Sequence, residues 1–166
     1  MTKAKPKDAD PGIGILLHLF DEAFDRKAWH GPNLWGTVRV LSAEDAAWRP
    51  APGRHSIQEL ALHCAYWKYA VRRKLTGAKR GSFPLKGSNF FPREGPTALA
   101  AWAGDLALLR EEHRKLREAV EAFPARKLRR RAPKSRRTFL GLIAGAAAHD
   151  VYHTGQIRLI LRLAKG

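Results

Sequence analysis

Hydrophobic residues recur at intervals of three and four through most of the chain, a pattern typical of helices that bury one face. The pattern predicts four main helices, so we expect an all-α antiparallel four-helix bundle. The first helix begins near Gly12 and is broken by Gly31-Pro32, because proline is disfavoured inside a helix. The segment from Leu34 to Leu41 resumes this helix.

Capping residues and prolines mark the next helix boundaries. The second helix starts after Ser56, which has the form of an N-cap with Glu59 in a capping box, and it ends at Gly77. The third helix follows Pro96 and stops before Pro124. The fourth helix occupies the C-terminal part of the chain. One long connection therefore lies between the second and third helices.

That connection, residues 81–95, contains two prolines and three phenylalanines. Its composition predicts an ordered loop that packs against one end of the bundle rather than a free linker. With 166 residues, of which 45% are hydrophobic, the chain is long enough to form one hydrophobic core. We therefore predict a loosely ordered tail over residues 1–11 and a single four-helix-bundle domain over residues 12–166.

The only cysteine, Cys64, excludes an intramolecular disulfide and suits a reducing compartment. Free cysteine is usually a small buried hydrophobe, although a thiol next to His63 is also a candidate nucleophile. The polar N-terminus lacks the apolar segment of a signal peptide, and no run of about 18 apolar residues occurs. We therefore expect a soluble cytoplasmic protein without a membrane partner.

The pair His149 and His153 is the strongest chemical signal in the chain. Four residues apart on a helix, the two imidazoles lie on one face, which is the spacing of metal ligands. They share a stripe with Phe139, Leu142 and Ile160, and this stripe should face the core. Such a pair indicates either metal coordination or core histidines that hydrogen bond to neighbouring groups.

His63 falls by the same reasoning on or beside the buried stripe of the second helix. Two facing helices would then supply three imidazole ligands, and the site would exist only in the folded protein. Three neutral imidazoles leave a divalent ion with net positive charge and open positions, as in catalytic rather than structural zinc sites. Zinc and nickel both suit imidazole, and iron or manganese with additional waters are alternatives.

Three further side chains are candidates for the pocket or for contacts with the ligands. His30 lies at the helix break, where an irregular backbone could direct it towards a pocket, although a solvent-exposed helix end is the alternative. Gln156 follows His153 by three residues and could orient that ligand, or it could pair within its helix. Tyr152 could reach the pocket with its phenol, or it could lie at the boundary with its hydroxyl in solvent.

No carboxylate is placed as an evident general base. Asp150 adjoins His149 and therefore points about 100 degrees away around the helix. The glutamate that directly follows the first histidine in zincin metallopeptidases is absent. His113 also has core spacing, but we interpret it as a boundary histidine because charged residues flank it. The catalytic group is therefore expected to be metal-bound water or a metal-bound thiolate.

Gly141 and Gly145 lie inside the fourth helix, where each glycine costs about 1 kcal/mol relative to alanine. Close packing against a neighbouring helix would offset this cost. Alternatively, the missing side chains leave a void above His149 in which a substrate binds. The two explanations are compatible, because small residues can serve both faces of a helix.

A histidine in the second main helix, followed by the motif His149-x-x-x-His153-x-Gly155-Gln156-Ile157, resembles the DinB-like superfamily of four-helix-bundle, metal-dependent proteins. The likeness covers most of the chain, including residues 28–34 and 49–60. By residue matching, the metal ligands of the family fall on His63, His149 and His153. The resemblance implies a hydrolase, or a transferase or isomerase that depends on a low-molecular-weight thiol. It also implies that a homodimer can form, as in several relatives.

The chain is strongly basic, with 31 lysine and arginine residues, 15 acidic residues and a formal net charge of +16. Eight of the basic residues lie within residues 126–137. This run has no interleaved aromatic residues for base stacking, so nucleic-acid binding is the less favoured interpretation. A solvated basic face and attraction of a small anionic substrate are the alternatives. Two classes of function remain: a metal-dependent enzyme, and a non-catalytic module that binds metal or nucleic acid.

Overall fold

The computed structural model describes residues 10–166, so most of the predicted N-terminal tail lies outside the described residues. Six α-helices form the secondary structure of this region, which contains no β-strand. The all-α class predicted from the hydrophobic spacing is confirmed. The helices are α1 (Pro11–Phe24), α2 (Leu34–Val38), α3 (Ala43–Ala47), α4 (Ile57–Thr76), α5 (Gly95–Glu121) and α6 (Phe139–Lys165), and a 3₁₀ turn spans Ala125–Lys127.

Each of the four long helices packs against two of the others. Helix α4 contacts both α5 and α6, and α1 also contacts both α5 and α6. The short helices lie against this group, with α2 on α6 and α3 on α4 and α5. Side chains from α4 and α6 can therefore meet in the interior. Within residues 10–166, none of the helices combines the length and apolar character needed to cross a lipid bilayer.

Local capping sets the limits of α4 as the sequence predicts. The Ser56 hydroxyl accepts a hydrogen bond from the backbone N–H of Glu59, and the reciprocal bond completes the capping box. Gly77 follows the last turn with φ 73°, the left-handed conformation that glycine adopts without a steric penalty. Helix α1 begins at Pro11, one residue before the predicted start, because the Asp10 carboxylate caps the backbone N–H of Gly12.

The predicted helical segment from Leu34 to Leu41 is shorter in the structure. Helix α2 ends at Val38, and a separate helix α3, which the hydrophobic pattern did not predict, follows it. The Ser42 hydroxyl caps α3 by accepting from the backbone N–H of Asp45. A five-residue helix is too short to show a periodic pattern, so only its cap carried a signal in the sequence.

Two clusters of buried apolar side chains form the core. One includes Phe20 and Ile143, and the other includes Phe24 and Ile157. Lys68 lies where they meet, because its Nζ is 5.1 Å from the ring centroids of both Phe20 and Phe24. A charged group between two apolar clusters requires a partner, since an isolated buried charge is strongly unfavourable.

Asp150 of α6 is that partner. Its carboxylate forms an ion pair with the Lys68 ammonium, and each residue is 1% exposed. Burial raises the pKa of Asp150, and the positive charge of Lys68 opposes this rise. The Thr154 hydroxyl donates to the backbone carbonyl of Asp150, one turn earlier in α6. The pair therefore joins α4 to α6 directly beside His149.

The interpretation of His113 as a boundary histidine is wrong. Its side chain is 5% exposed, and the imidazole stacks on Phe20 and Phe24 with centroid distances of 4.5 and 3.6 Å. The nearby Glu111 and Arg114 lie off the buried stripe of α5, where they pair with each other near the surface. Glu112, directly before His113, is buried in an ion pair with Arg72. Flanking charges therefore do not indicate whether His113 is exposed, because adjacent helical residues point in different directions and a charged residue can itself be buried when it is paired.

Burial lowers the pKa of His113 to about 2, from the ordinary value of 6.5. Between these values the unfolded chain binds a proton that the folded protein does not, so the free energy of unfolding should fall as the pH decreases from 6.5. The contribution of one such histidine is up to about 1.4 kcal/mol per pH unit. We expect His113→Phe to be less sensitive to acid than the wild-type protein in urea unfolding at pH 7, 6 and 5.

The exposed His18 provides the control, because its side chain is 71% exposed. His18→Phe should retain the pH dependence of the wild-type protein. A constant difference in unfolding free energy between the wild type and His113→Phe at all three pH values would contradict the prediction.

Candidate metal centre

His63 of α4 meets His149 and His153 of α6 inside the protein. The Nε2 atom of His149 lies 3.1 Å from Nε2 of His63 and 3.1 Å from Nε2 of His153. Candidate ligand atoms of all three residues lie within 4.8 Å of one another. His63 and His153 are buried, and His149 is half-buried. The structure therefore brings together the three histidines that the sequence predicts as ligands.

Hydrogen bonds at the opposite ring nitrogens fix which atoms of His63 and His153 face the cluster. Nδ1 of His63 lies 3.0 Å from the backbone carbonyl oxygen of Asn89, and Nδ1 of His153 lies 2.6 Å from Oε1 of Gln156. Both oxygens are acceptors, so each Nδ1 carries the proton and donates it. In a neutral imidazole the other nitrogen then has a free lone pair. The two lone pairs face Nε2 of His149.

Burial keeps the three imidazoles neutral. Desolvation is the largest cause that lowers the pKa of His63 to about 4 and that of His149 to about 3, and it also lowers the pKa of His153. A proton on Nε2 of His149 could be donated to only one of the two neighbouring nitrogens. The remaining pair of nitrogens would then face each other with no hydrogen between them. A cation among the three nitrogens satisfies all of them, so the donor set fits a divalent metal ion.

Two of the three nitrogen separations also fit a metal ion. Two nitrogens bound to zinc at about 2.0–2.1 Å lie about 3.3 Å apart in a tetrahedral site and about 2.9 Å apart in an octahedral site. The separations of 3.1 Å in this protein fall between these values. Three protein ligands leave at least one position for water or substrate. The arrangement is therefore suited to a reactive centre rather than to a closed structural site.

A second group of candidate ligand atoms, from Cys64, His149 and Asp150, also lies within 4.8 Å. Asp150 is already paired with Lys68. Burial raises the pKa of the Cys64 thiol well above its usual range, so the thiol stays protonated at neutral pH. A protonated thiol is a poor metal ligand and a poor nucleophile. The three-histidine group is therefore the better metal site, and Cys64 behaves as a buried apolar residue.

The long loop between α4 and α5 contributes a residue that the sequence did not single out. Asn89 has φ 69°, a left-handed conformation that asparagine tolerates better than most residues, and its carbonyl accepts from His63. Its side-chain oxygen accepts from the indole N–H of Trp67 at 3.0 Å. The ring of Phe90 stacks on His63 at 4.2 Å. The loop therefore orients His63, although only the aromatic content of the loop indicated that it packs.

Gln156 and Tyr152 form a short chain of hydrogen bonds behind His153. Gln156 accepts from Nδ1 of His153 through its side-chain oxygen and donates through its side-chain nitrogen to the Tyr152 hydroxyl at 3.0 Å. Tyr152 is 62% exposed, and its ring centroid lies 4.9 Å from that of His153. The structure therefore places Gln156 in hydrogen-bond contact with His153. Tyr152 is linked to His153 through Gln156, and its ring also packs edge-on against the imidazole.

His30 lies on a different side of α6. It is exposed and lines a cavity of about 400 Å³ with Val151 and Gly155, among others. These two residues of α6 each lie two positions beyond a cluster histidine, which is a rotation of about 200 degrees around the helix. The structure therefore does not bring His30 to His149 and His153.

The position of Gln156 leads to a prediction for metal affinity. Gln156→Leu removes the acceptor that holds His153 in its Nδ1-protonated form, so we expect metal affinity to fall by about 10- to 100-fold. Tyr152→Phe removes only the hydroxyl behind Gln156 and should change affinity much less. Competition for zinc with a chromogenic chelator measures both variants. Equal affinities of wild type and Gln156→Leu would show that the hydrogen bond does not support the ligand.

A cavity of about 320 Å³ adjoins His149. Trp67 lines it from α4, and Gly141 and Gly145 line it from α6. A Cβ atom added at Gly145 would meet nothing within 4 Å. Close helix packing therefore does not explain Gly145, whereas the alternative of a void next to His149 agrees with the structure.

Comparison with protein-family models gives a match. A family model described as the DinB superfamily matches residues 28–157, which include all three histidines of the cluster. No curated protein and no solved structure shows significant similarity to the chain.

Proposed function

The chain belongs to the DinB superfamily, and from this premise we propose that it is a metal-dependent enzyme in which His63, His149 and His153 bind one divalent ion. One observation carries the proposal: three neutral imidazoles from two helices converge, and hydrogen bonds to Asn89 and Gln156 direct two of the lone pairs to the centre. We further propose that α1, α4, α5 and α6 form an antiparallel four-helix bundle around this centre.

Zinc and nickel are the proposed metals. The three donors are imidazole nitrogens, and both ions suit this ligand type. Iron or manganese would need more oxygen ligands, which water or the substrate would have to supply. The charge of the bound ion is not compensated by a carboxylate of the cluster, because Asp150 is engaged by Lys68.

A bound divalent ion supplies Lewis acidity that activates water or a thiol as a nucleophile near neutral pH. The protein residues decide which nucleophile is favoured. Within residues 10–166, the hydrogen bonds of the three histidines involve carbonyl oxygens and one another, and none involves a carboxylate. A thiol loses its proton more readily than water does, so it depends less on a general base. We therefore propose transfer of a low-molecular-weight thiol as the first reaction class and hydrolysis as the second.

The test compares the two reactions on protein loaded with zinc or nickel. One assay follows conjugation of cysteine or glutathione to 1-chloro-2,4-dinitrobenzene, and the other follows hydrolysis of 4-nitrophenyl acetate without thiol. We expect thiol-dependent turnover above background that is lost after chelation and in His149→Ala. Metal-dependent turnover of the ester alone would favour the hydrolase. Turnover that is equal in His149→Ala would contradict a metal-dependent enzyme, and no metal-dependent turnover in either assay would favour a non-catalytic metal-binding role.

A further inference from the structure

The cavity next to His149 has chemically different ends. His149 lines one end, and Lys74 and Arg137 lie among the residues that line the rest. Between His149 and Gly141 the cavity follows eight residues of α6, a distance of about 12 Å at a rise of 1.5 Å per residue. Arg137 lies just before Thr138, the N-cap of α6, and thus farther along the same line. The cavity therefore extends from the histidine cluster towards a basic end.

The middle of the cavity is apolar. Its lining between the two ends consists of aromatic, aliphatic and glycine residues, namely Trp67, Ala70, Val71, Gly141, Leu142, Gly145 and Ala146. Glycine at two successive turns of α6 leaves the helix backbone as one wall. The volume of about 320 Å³ is close to the lower limit of typical small-molecule sites. The space suits one slender apolar molecule.

At the basic end, the Arg137 guanidinium is available to bind an anion. The Lys74 ammonium donates to the backbone carbonyls of Pro133 and Lys134 at 2.8 and 3.2 Å, which fastens the basic loop to α4. Arg137 is exposed, and within residues 10–166 its guanidinium makes no hydrogen bond or ion pair. Among residues 10–166, no acidic side chain lines this cavity. The guanidinium is therefore free to form the bidentate hydrogen bonds that arginine typically makes with a carboxylate.

We propose that this cavity binds the organic substrate, an elongated apolar molecule with a terminal carboxylate. The carboxylate contacts Arg137, the apolar part lies along Gly141 and Gly145, and the far end reaches the histidine cluster. Because Arg137 lies beyond Gly141, the reacting atom and the carboxylate are then separated by roughly the 12 Å of helix between His149 and Gly141 or more. The assignment of the reacting end rests on the proposed metal site. The assignment of the carboxylate end rests on the cavity alone.

The test uses straight-chain carboxylates from hexanoate to dodecanoate and isothermal titration calorimetry on metal-free protein. Metal is removed first so that the carboxylate cannot bind an ion. We expect wild-type protein to bind the longer members, and Arg137→Ala to weaken this binding at least about 10-fold through loss of charge-assisted hydrogen bonds. Arg136→Ala is the matched control, because Arg136 is also exposed but does not line the cavity. It should bind like the wild type.

A second variant tests the apolar part. Gly145→Leu places a side chain in the cavity without a clash at Cβ, so the protein should fold and carboxylate binding should be lost. In metal-loaded wild type, a long carboxylate with a thiol at its other end should bind more tightly than the same carboxylate without the thiol. No binding of any member by the wild type, or equal binding by wild type, Arg137→Ala and Gly145→Leu, would overturn the proposal. Equal weakening in Arg136→Ala would also overturn it.

The metal content of the same variants separates this proposal from the proposed function. Arg137→Ala and Gly145→Leu should retain the metal of the wild type. If the cavity proposal fails, metal is retained while carboxylate binding does not respond to either variant. If the metal proposal fails, the protein takes up no ion while carboxylate binding still depends on Arg137.

Discussion

Replacing His149 with alanine should abolish stoichiometric metal binding. Its Nε2 atom is the one that lies 3.1 Å from both other imidazoles, so the variant loses the nitrogen that links the ligands of α4 and α6. The two remaining imidazoles come from different helices and cannot complete a site with three protein ligands. We expect about one ion per chain in wild-type protein purified without a metal-affinity tag, and no retained ion in His149→Ala.

Elemental analysis measures this directly, and thermal unfolding provides an independent readout. A ligand that binds only the folded state stabilises it, so added zinc should raise the Tm of the wild type but not that of His149→Ala. His63→Ala and His153→Ala should behave like His149→Ala. His30→Ala is the control, because His30 lies on the other side of α6 and should not affect metal content. Full metal occupancy in the three cluster variants would refute the site assignment.

The second large effect concerns the Lys68–Asp150 pair. Lys68→Met leaves the Asp150 carboxylate buried without its counter-ion, and breaking such a pair typically costs about 3–5 kcal/mol. Both residues are 1% exposed, so water cannot replace the lost partner without opening the core. We expect urea unfolding at pH 7 to show a loss of this size, which is a large part of the stability of a typical domain.

An exposed ion pair provides the matched comparison. Arg114 pairs with Glu118 on the surface of α5, where both side chains are more than half exposed. Arg114→Ala should cost far less than Lys68→Met, because water screens the pair and solvates the remaining charge. The double variant Lys68→Met with Asp150→Leu should recover much of the lost stability, since apolar residues can replace a buried pair. Similar losses in Lys68→Met and Arg114→Ala would contradict the prediction.

The sequence determined the features that depend on neighbouring residues. The helix limits at Ser56 and Gly77 follow from a capping box and a left-handed glycine, both of which act within one helical turn. The shared face of His149 and His153 follows from helical periodicity alone. The all-α class also follows from this periodicity, because it extends over most of the chain.

Some local sequence signals were insufficient to predict the structure correctly. The burial of His113 was misjudged because Glu111 and Arg114 lie on the exposed face of α5, whereas Glu112 is buried in an ion pair with Arg72. The cap of α3 at Ser42 was present in the sequence, but no periodic pattern accompanied it. The core spacing of His113 was therefore present but discounted, whereas α3 was too short to produce a spacing at all.

Only the tertiary structure decided how residues far apart in the sequence meet. The distance between His63 and His149, the contact of the Asn89 carbonyl with His63, and the Lys68–Asp150 pair all depend on how α4, α6 and the long loop are placed. The role of Gly145 likewise depended on whether a neighbouring helix fills the space beside it. Helical periodicity fixes the face on which a side chain lies, whereas packing between helices fixes what that face contacts.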